Sequence, residues 1–243
     1  MQVLNIFVRQ DLKMRKGKMA AQVAHAVMKL LFDVTIKSKD EMRLPSNQTN
    51  ELEGFLKNPI VKINMVSNEE DLYQVLDKNL PHAIITDSGR TEFHGVPTVT
   101  CAAQGIFSAC ETVSINVPHL YGKDIKAKQI FIFNKDIPLS KELACELSVI
   151  TCLKYLYKKM QDDKGEKYFD LSQETAFVAW IVNAFAKIGL STKTIEQLNE
   201  ITDLLDHKSI DYIKGNIGNN VCVCIEPCYP DEIDLITGSL TLI

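Results

Sequence analysis

The order of apolar segments in the first hundred residues restricts the fold more than any other feature of this sequence. Val3 to Arg9 is almost continuously apolar, which is typical of a strand that is covered on both faces. From Gly17 to Leu31 the apolar side chains recur with a helical period and form one stripe. Three further strands are predicted at 60–66, 82–86 and 98–103, and a capped helix is predicted at 69–78. This alternation predicts an α/β fold with a small mixed β-sheet between helices, in a three-layer α/β/α arrangement.

The second half of the chain repeats this order in outline. A strand at 129–134, a helix with an apolar stripe from Ala144 to Leu156, a capped helix from Thr194 to Leu205 and a strand from Val221 to Ile225 follow one another. We therefore predict two tandem modules, residues 1–124 and residues 125–243, the second a degenerate relative of the first.

Two segments fall outside this repeat. Residues 33–58 are polar and are predicted to form a loop, whereas residues 171–190 are predicted to form an additional apolar helix that contains Trp180. An alternative architecture is a single domain in which residues 104–219 are an insertion and Val221 to Ile243 complete the fold. The strands at 98–103 and 221–225 would then compete for one position, which favours the repeat.

The charge distribution is uneven along the chain. The net charge of −4 is not typical of a nucleic-acid-binding protein. Residues 1–30, however, contain six basic side chains against Asp11 alone: Arg9, Lys13, Arg15, Lys16, Lys18 and Lys29. This end of the molecule could attract a polyanion.

The seven cysteines do not form the regular framework of a secreted disulfide protein. We expect buried thiols in a reducing cytoplasm, because a metal site at Cys222, Cys224 and Cys228 would need more ligands than this stretch supplies. No apolar run reaches the roughly 18 residues that a membrane-spanning helix needs. The sequence thus predicts a cytoplasmic protein without a membrane partner.

Two stretches carry specific motifs. The first runs from Val8 to Ala26 and contains V-R-x-D-L-x-M, K-G-K and A-A-Q-x-A-H-A; the second is Asp87-Ser88-Gly89-Arg90-Thr91, followed by Thr98-Val99. Together they resemble the peptidyl-tRNA hydrolase family of archaea and eukaryotes over about residues 1–103. Arg15 and Ser88 stand where the family has glycine and alanine. Residues 230–243 resemble the closing segment of the family.

The resemblance implies hydrolysis of the ester that joins a peptide to the 3′ end of tRNA, without a metal or other cofactor. It also implies a small mixed sheet with helices on both sides. Members of the family commonly form homodimers, so a tandem chain could provide an intramolecular pseudo-dimer. Homo-oligomerisation of the chain stays open.

Ester hydrolysis needs a positioned water, a group that takes its proton, and donors for the developing oxyanion. With the resemblance, this identifies Lys18, Asp87, Thr91 and His25 as candidate catalytic residues. Asp87 can orient or deprotonate water, and Thr91 can hold a water or a substrate oxygen. Lys18 lies at a helix start, where negative charge is favoured. His25 follows two turns later as an acid, base or hydrogen-bond partner; the sequence does not determine which group activates water.

Four further residues are candidate substrate-binding residues. Arg15 and Lys16 could contact tRNA phosphates, Arg90 could bind phosphate or pair with Asp87, and Thr98 could contact substrate or simply begin a strand.

The second half keeps Asp136 and Lys141 of the first motif but has Glu142 at the position of Lys18 and Val149 at that of His25. No Asp-x-Gly-Arg-Thr sequence occurs near 214–216. We therefore predict that the second module is not catalytic.

Two other functions are compatible with the sequence. The chain could be a tRNA- or protein-binding module that keeps the hydrolase fold without turnover. It could also be a structural pseudo-dimer, for which no salt-sensitive affinity for tRNA is expected.

Overall fold

The computed structural model describes residues 2–89, 92–108, 127–173, 175–182 and 185–243. The strands are β1 Leu4–Arg9, β2 Ile36–Lys37, β3 Glu41–Leu44, β4 Val61–Val66, β5 His82–Asp87, β6 Thr98–Gln104, β7 Lys128–Asn134, β8 Gln161–Asp163, β9 Glu166–Asp170, β10 Lys187–Thr192, β11 Tyr212–Ile217, β12 Asn220–Cys228 and β13 Thr241–Leu242. The helices are α1 Lys16–Asp33, α2 Ser46–Lys57, α3 Glu69–Gln74, α4 Lys141–Lys159, α5 Ala176–Val182, α6 Ile195–His207 and α7 Pro230–Thr237. The predicted mixed α/β class is confirmed, although the strands form three sheets rather than one or two.

The first sheet has the strand order β4-β1-β6-β5. Strand β1 pairs parallel with β4 and antiparallel with β6, and β6 pairs antiparallel with β5. Helix α1 contacts β5 and β6, with its apolar side chains in the core. In the β5–β6 ladder Asp87 lies opposite Thr98, so the second motif begins at a strand end beside α1.

The second sheet has the order β11-β12-β7-β10-β13. Strand β7 is parallel to β10 and antiparallel to β12, which is antiparallel to β11. Its first four strands therefore repeat the order and directions of β5-β6-β1-β4. Strands β6 and β12 belong to different sheets.

The two halves contact each other mainly through α1 and α4. Ser148 Oγ donates a hydrogen bond to the carbonyl of Ala20 at 3.1 Å. Lys16 Nζ donates to the carbonyl of Leu139, and Lys141 Nζ donates to that of Met14 at 2.6 Å. Lys16 lies two residues after Met14, and Lys141 lies two residues after Leu139, so the two hydrogen bonds are reciprocal.

The third sheet, of order β2-β3-β9-β8, corrects the prediction of a loop at residues 33–58. This segment forms a short hairpin and then α2, which buries Leu52 and Phe55. The pattern was hard to recognise because only one narrow face of α2 is apolar. On its other side β3 pairs with β9, which comes from the other half of the sequence.

The predicted long helix at 171–190 was also wrong. Of the described residues in this range, those from Ala176 to Val182 are helical, and Lys187–Thr192 forms β10 beside the central strand β7. A short apolar run does not by itself distinguish a buried helix from a buried strand. Trp180 of α5 is fully buried.

Six cysteines, Cys101, Cys145, Cys152, Cys222, Cys224 and Cys228, are buried and free, while Cys110 and the predicted module boundary at 124/125 lie outside the described residues. Within the described ranges, no cluster of three His, Cys, Asp or Glu side chains could hold a metal ion. None of the described helices has the length and apolarity to cross a membrane.

Candidate active site

Lys18 and Asp87 meet at the start of α1. Lys18 Nζ lies 2.5 Å from Asp87 Oδ2, and the two side chains are only 16% and 10% exposed. The backbone N–H of Gly89 donates to Asp87 Oδ1 at 2.8 Å. The two motifs, about seventy residues apart in the sequence, thus form one largely buried ion pair with both carboxylate oxygens engaged.

A third donor to this carboxylate was not predicted from the sequence. Gln22 Nε2 donates to Asp87 Oδ2 at 2.7 Å, and Thr100 Oγ1 donates to Gln22 Oε1 at 3.1 Å. Gln22 follows Lys18 by four residues, so both side chains lie on the same face of α1. That spacing was the signal from which its role could have been recognised.

The environment of Asp87 keeps its carboxylate charged. Burial by itself raises the pKa of this group, but the ammonium of Lys18 and the N–H of Gly89 together lower the pKa below its ordinary value. The carboxylate is therefore ionised at neutral pH. It can accept hydrogen bonds strongly and orient a water, and its basicity is low.

His25 lies two turns further along α1. Its Nε2 is 2.5 Å from the carbonyl oxygen of Phe185 in the second half. Burial, followed by the charge of Lys187, lowers the pKa of His25 to about 3. The imidazole is therefore neutral at neutral pH.

These side chains line a cleft of about 760 Å³ between the two halves. One wall comes from α1 and Asp87, and the other comes from Lys187 to Gly189 together with Leu242 and Ile243. The backbone N–H of Gly17 donates to the carbonyl of Ile243 at 2.8 Å, which fastens the closing segment to the start of α1. The cleft is thus built from both halves, which the sequence did not indicate.

The remaining predicted site residues that the structure describes have partners other than Lys18 and Asp87. Arg15 Nε forms an ion pair with Glu92 at 2.6 Å, and the Arg15 side chain is 67% exposed. The amine of Lys16 donates a hydrogen bond to the carbonyl of Leu139. Thr98 Oγ1 donates to the carbonyl of Val96 at 2.9 Å. Arg90 and Thr91 lie outside the described residues.

The corresponding region of the second half has a different chemistry. Glu142 is exposed and Val149 is buried. Asp136 accepts the backbone N–H of Ile195 at 2.5 Å, and Lys214 Nζ donates to Asn199 at 3.1 Å. These described side chains do not form a counterpart of the pair between Lys18 and Asp87.

Comparison with known proteins identifies the first half of the chain. The family model described as "Peptidyl-tRNA hydrolase PTH2" matches residues 2–109. A peptidyl-tRNA hydrolase of Haloquadratum walsbyi is 36% identical over 104 residues, which are 41% of this chain and 81% of the relative. Those of Metallosphaera sedula and Sulfolobus acidocaldarius are each 38% identical, over 105 and 106 residues, which are 41% of this chain and 82% of either relative.

The matched region contains both motifs and all three side chains of the hydrogen-bonded group formed by Lys18, Gln22 and Asp87. The second half lies beyond it. On the strength of this match the chain belongs to the PTH2 family of peptidyl-tRNA hydrolases.

Proposed function

We propose that this protein hydrolyses the ester between a peptide and the 3′-terminal ribose of tRNA at the cleft between its two halves. The observation that carries this proposal is the largely buried ion pair of Lys18 and Asp87 at 2.5 Å, in a cleft large enough for an acylated ribose. The names of the relatives supply the substrate class.

The residues suggest a direct attack of water on the ester. A water that donates to the carboxylate of Asp87 adds its oxygen to the carbonyl carbon, and the ammonium of Lys18 stabilises the oxyanion that develops. The bond from the acyl carbon to the ribose oxygen then breaks, and the proton from the water ends on that oxygen. Gln22 keeps the carboxylate in place. Thr91 remains a candidate for holding the water or a substrate oxygen.

The charge around the cleft supports a tRNA partner. Lys13, Arg15, Lys16 and Lys141 line the cleft beside Lys18, and the first turn of α1 contains no acidic residue. The positive end of the helix dipole adds to this potential. Lys13, Arg15 and Lys141 are exposed. Arg15 can exchange Glu92 for a phosphate, and Arg90 and Thr98 are further candidates for substrate contacts.

We also propose that residues 125–243 are a related, non-catalytic module that stands in for a second subunit. The matching strand order of the two sheets and the reciprocal bonds of Lys16 and Lys141 support this relation. A sedimentation measurement should then give the mass of a single chain at micromolar concentration. An obligate homodimer would contradict the intramolecular pseudo-dimer.

Free buried cysteines agree with a cytoplasmic location.

The catalytic proposal is tested by replacing Lys18 with methionine and measuring release of peptide from peptidyl-tRNA. We expect kcat/KM to fall by about a hundredfold or more, because the variant lacks the charge that stabilises the oxyanion. Lys29→Met is the matched control, since Lys29 belongs to the same helix and also pairs with an aspartate, Asp33, on the exposed surface. It should keep the activity of the parent protein.

The same assay separates an enzyme from a binding module. A parent protein that binds tRNA in a salt-dependent manner but releases no peptide would favour the non-catalytic alternative. Equal turnover by Lys18→Met and the parent protein would exclude Lys18 from the reaction.

A further inference from the structure

The second half of the chain contacts His25 through the segment Phe185–Lys187. His25 Nε2 lies 2.5 Å from the carbonyl oxygen of Phe185. A carbonyl oxygen can only accept a hydrogen bond, so Nε2 must carry the proton in this contact. In a neutral ring this leaves Nδ1 with a lone pair, as a hydrogen-bond acceptor on a side chain that lines the cleft.

The carbonyl of Phe185 is held in a backbone conformation that is uncommon for a bulky residue. Phe185 has a φ of 50°, in the left-handed region that aromatic side chains rarely occupy. Trp180 Nε1 donates to the carbonyl of Ala186 at 3.0 Å, and the Phe185 ring packs edge-on against Trp180 with 5.9 Å between centroids. These contacts fix the segment, and with it the direction from which His25 is approached.

Lys187 places a positive charge beside the same ring. Its Nζ lies 3.9 Å from the centroid of Trp180 and 3.4 Å from Met28 Sδ, one turn after His25 on α1. Among the described residues, no carboxylate lies within ion-pair distance of it. Burial lowers the pKa of Lys187 to about 8, so the amine is still mostly charged at neutral pH. A partly buried, desolvated cation without a carboxylate is costly and is typical of a functional position.

The charged groups that act on His25 come from three elements. Lys187 approaches from β10, Lys18 from α1 itself, and Asp87 from β5. Two cations against one carboxylate, in a desolvated setting, disfavour a second proton on the ring.

We infer that Phe185 and Lys187 of the second half are positioning residues that hold His25 as the neutral Nε2–H tautomer, with Nδ1 accepting a hydrogen bond from an O–H group of the reacting system. That group is the attacking water or the 2′-hydroxyl of the terminal ribose. The assignment of the Nε2–H tautomer does not depend on hydrolase activity, whereas the role of Nδ1 rests on the proposed function.

The tautomer is tested by imidazole nitrogen NMR on the full chain. We expect His25 to be neutral at neutral pH with the proton on Nε2. In Lys187→Met its titration midpoint should move to higher pH, because one nearby cation is lost, and Lys187→Arg should restore the midpoint towards the parent value. Lys167→Met is the matched control: Lys167 also lies over a ring, that of Tyr157 at 5.0 Å, on β9. It should leave His25 unchanged.

Several results would overturn the inference. These are an Nδ1–H tautomer in the parent protein, a protonated ring at neutral pH, or the same titration midpoint in Lys187→Met and the parent. The parent spectrum is decisive on its own if Lys187→Met does not fold. None of these readouts requires turnover, so a chain that lacks hydrolase activity would refute the proposed function and leave this test intact.

The role of Nδ1 is tested with two substrates, peptidyl-tRNA ending in adenosine and in 2′-deoxyadenosine. His25→Leu should lower kcat/KM on the first substrate by about tenfold or more, the loss of one positioned hydrogen bond. If the penalty disappears with the deoxy substrate, the ribose hydroxyl is the donor; if it persists, water is. A His25→Leu variant as active as the parent on both substrates would exclude the role.

Discussion

At the scale of single residues, the carboxylate of Asp87 depends on the backbone of Gly89. Gly89 donates its N–H to Asp87 Oδ1 with a φ of +81°, a conformation that favours glycine. A Cβ at this position would lie 2.5 Å from both the N and the O of Val96. The glycine of the second motif therefore serves both the loop conformation and the orientation of the carboxylate.

We predict that Gly89→Ala destabilises the protein by about 1–3 kcal/mol and also lowers kcat/KM, because the strained loop must shift away from Asp87. Urea unfolding and peptide release measure the two effects. Gly95→Ala is the matched control, since Gly95 has a φ of +80° but no atom within 4 Å of the added Cβ. It should cost some stability and keep the activity. Equal loss of activity in the two variants would contradict this explanation.

The burial of His25 makes folding sensitive to acid. Its pKa is about 3 in the folded protein and 6.5 in the unfolded chain, so the unfolded chain binds the proton first as the pH falls. The contribution of His25 to stability is fully present above about pH 6.5 and is lost progressively towards pH 3. Urea titrations across this range should show a steeper decline for the parent protein than for His25→Gln. The same slope for both would contradict the burial of a neutral ring.

The sequence motifs were sufficient to predict that Lys18 and Asp87 lie close together, and the structure joins them in one ion pair. Gln22 could have been added from its helical spacing. Phe185 and Lys187 could not, because their proximity to His25 arises only when two halves of the chain pack together, and no local pattern encodes that distance.

At the scale of elements, helices with a continuous apolar stripe or a capping residue at the start were well predicted. Helix α1 has no side-chain cap, and its apolar stripe alone placed it at 17–31, against Lys16–Asp33 in the structure. Helix α6 begins after Thr194, whose side chain accepts the N–H of Gln197, close to the predicted start. Strands with remote partners were predicted poorly: β3 and β9 are short, and each is stabilised by a segment more than a hundred residues away. The first residues of strand β10 belong to the apolar run at 171–190 that was predicted to be a helix.

The cap of α4 provides a test at this scale. Ser140 Oγ accepts the backbone N–H of Leu143 at 3.0 Å, and α4 is the helix against which α1 packs. Ser140→Ala should therefore lower the free energy of unfolding by about 1 kcal/mol. Ser140→Asp should retain the cap and most of the stability. A Ser140→Ala protein as stable as the parent in urea would show that the cap contributes little here.

At the scale of the whole molecule, the cleft depends on a close approach between the two halves. A Cβ on Gly189 of β10 would lie 3.0 Å from the Cα of Gly17 and 3.1 Å from the Ile243 side chain. We predict that Gly189→Ala lowers kcat/KM by separating β10 from α1, although Gly189 belongs to the half that we propose to be non-catalytic. Gly54→Ala, in helix α2, is the control and should be neutral or slightly stabilising. Full activity of Gly189→Ala would mean that the second half does not shape the cleft.

In the proposed reaction, the carboxylate of Asp87, paired with Lys18, directs water to the ester of peptidyl-tRNA. The most direct test is single-turnover release of peptide by the full chain and by Asp87→Asn, which keeps the shape of the side chain and removes its charge. We expect rapid release by the parent protein and a decrease of about a hundredfold or more in the variant, with binding of tRNA retained. Release by the parent no faster than the spontaneous reaction, or equal release by both proteins, would contradict it.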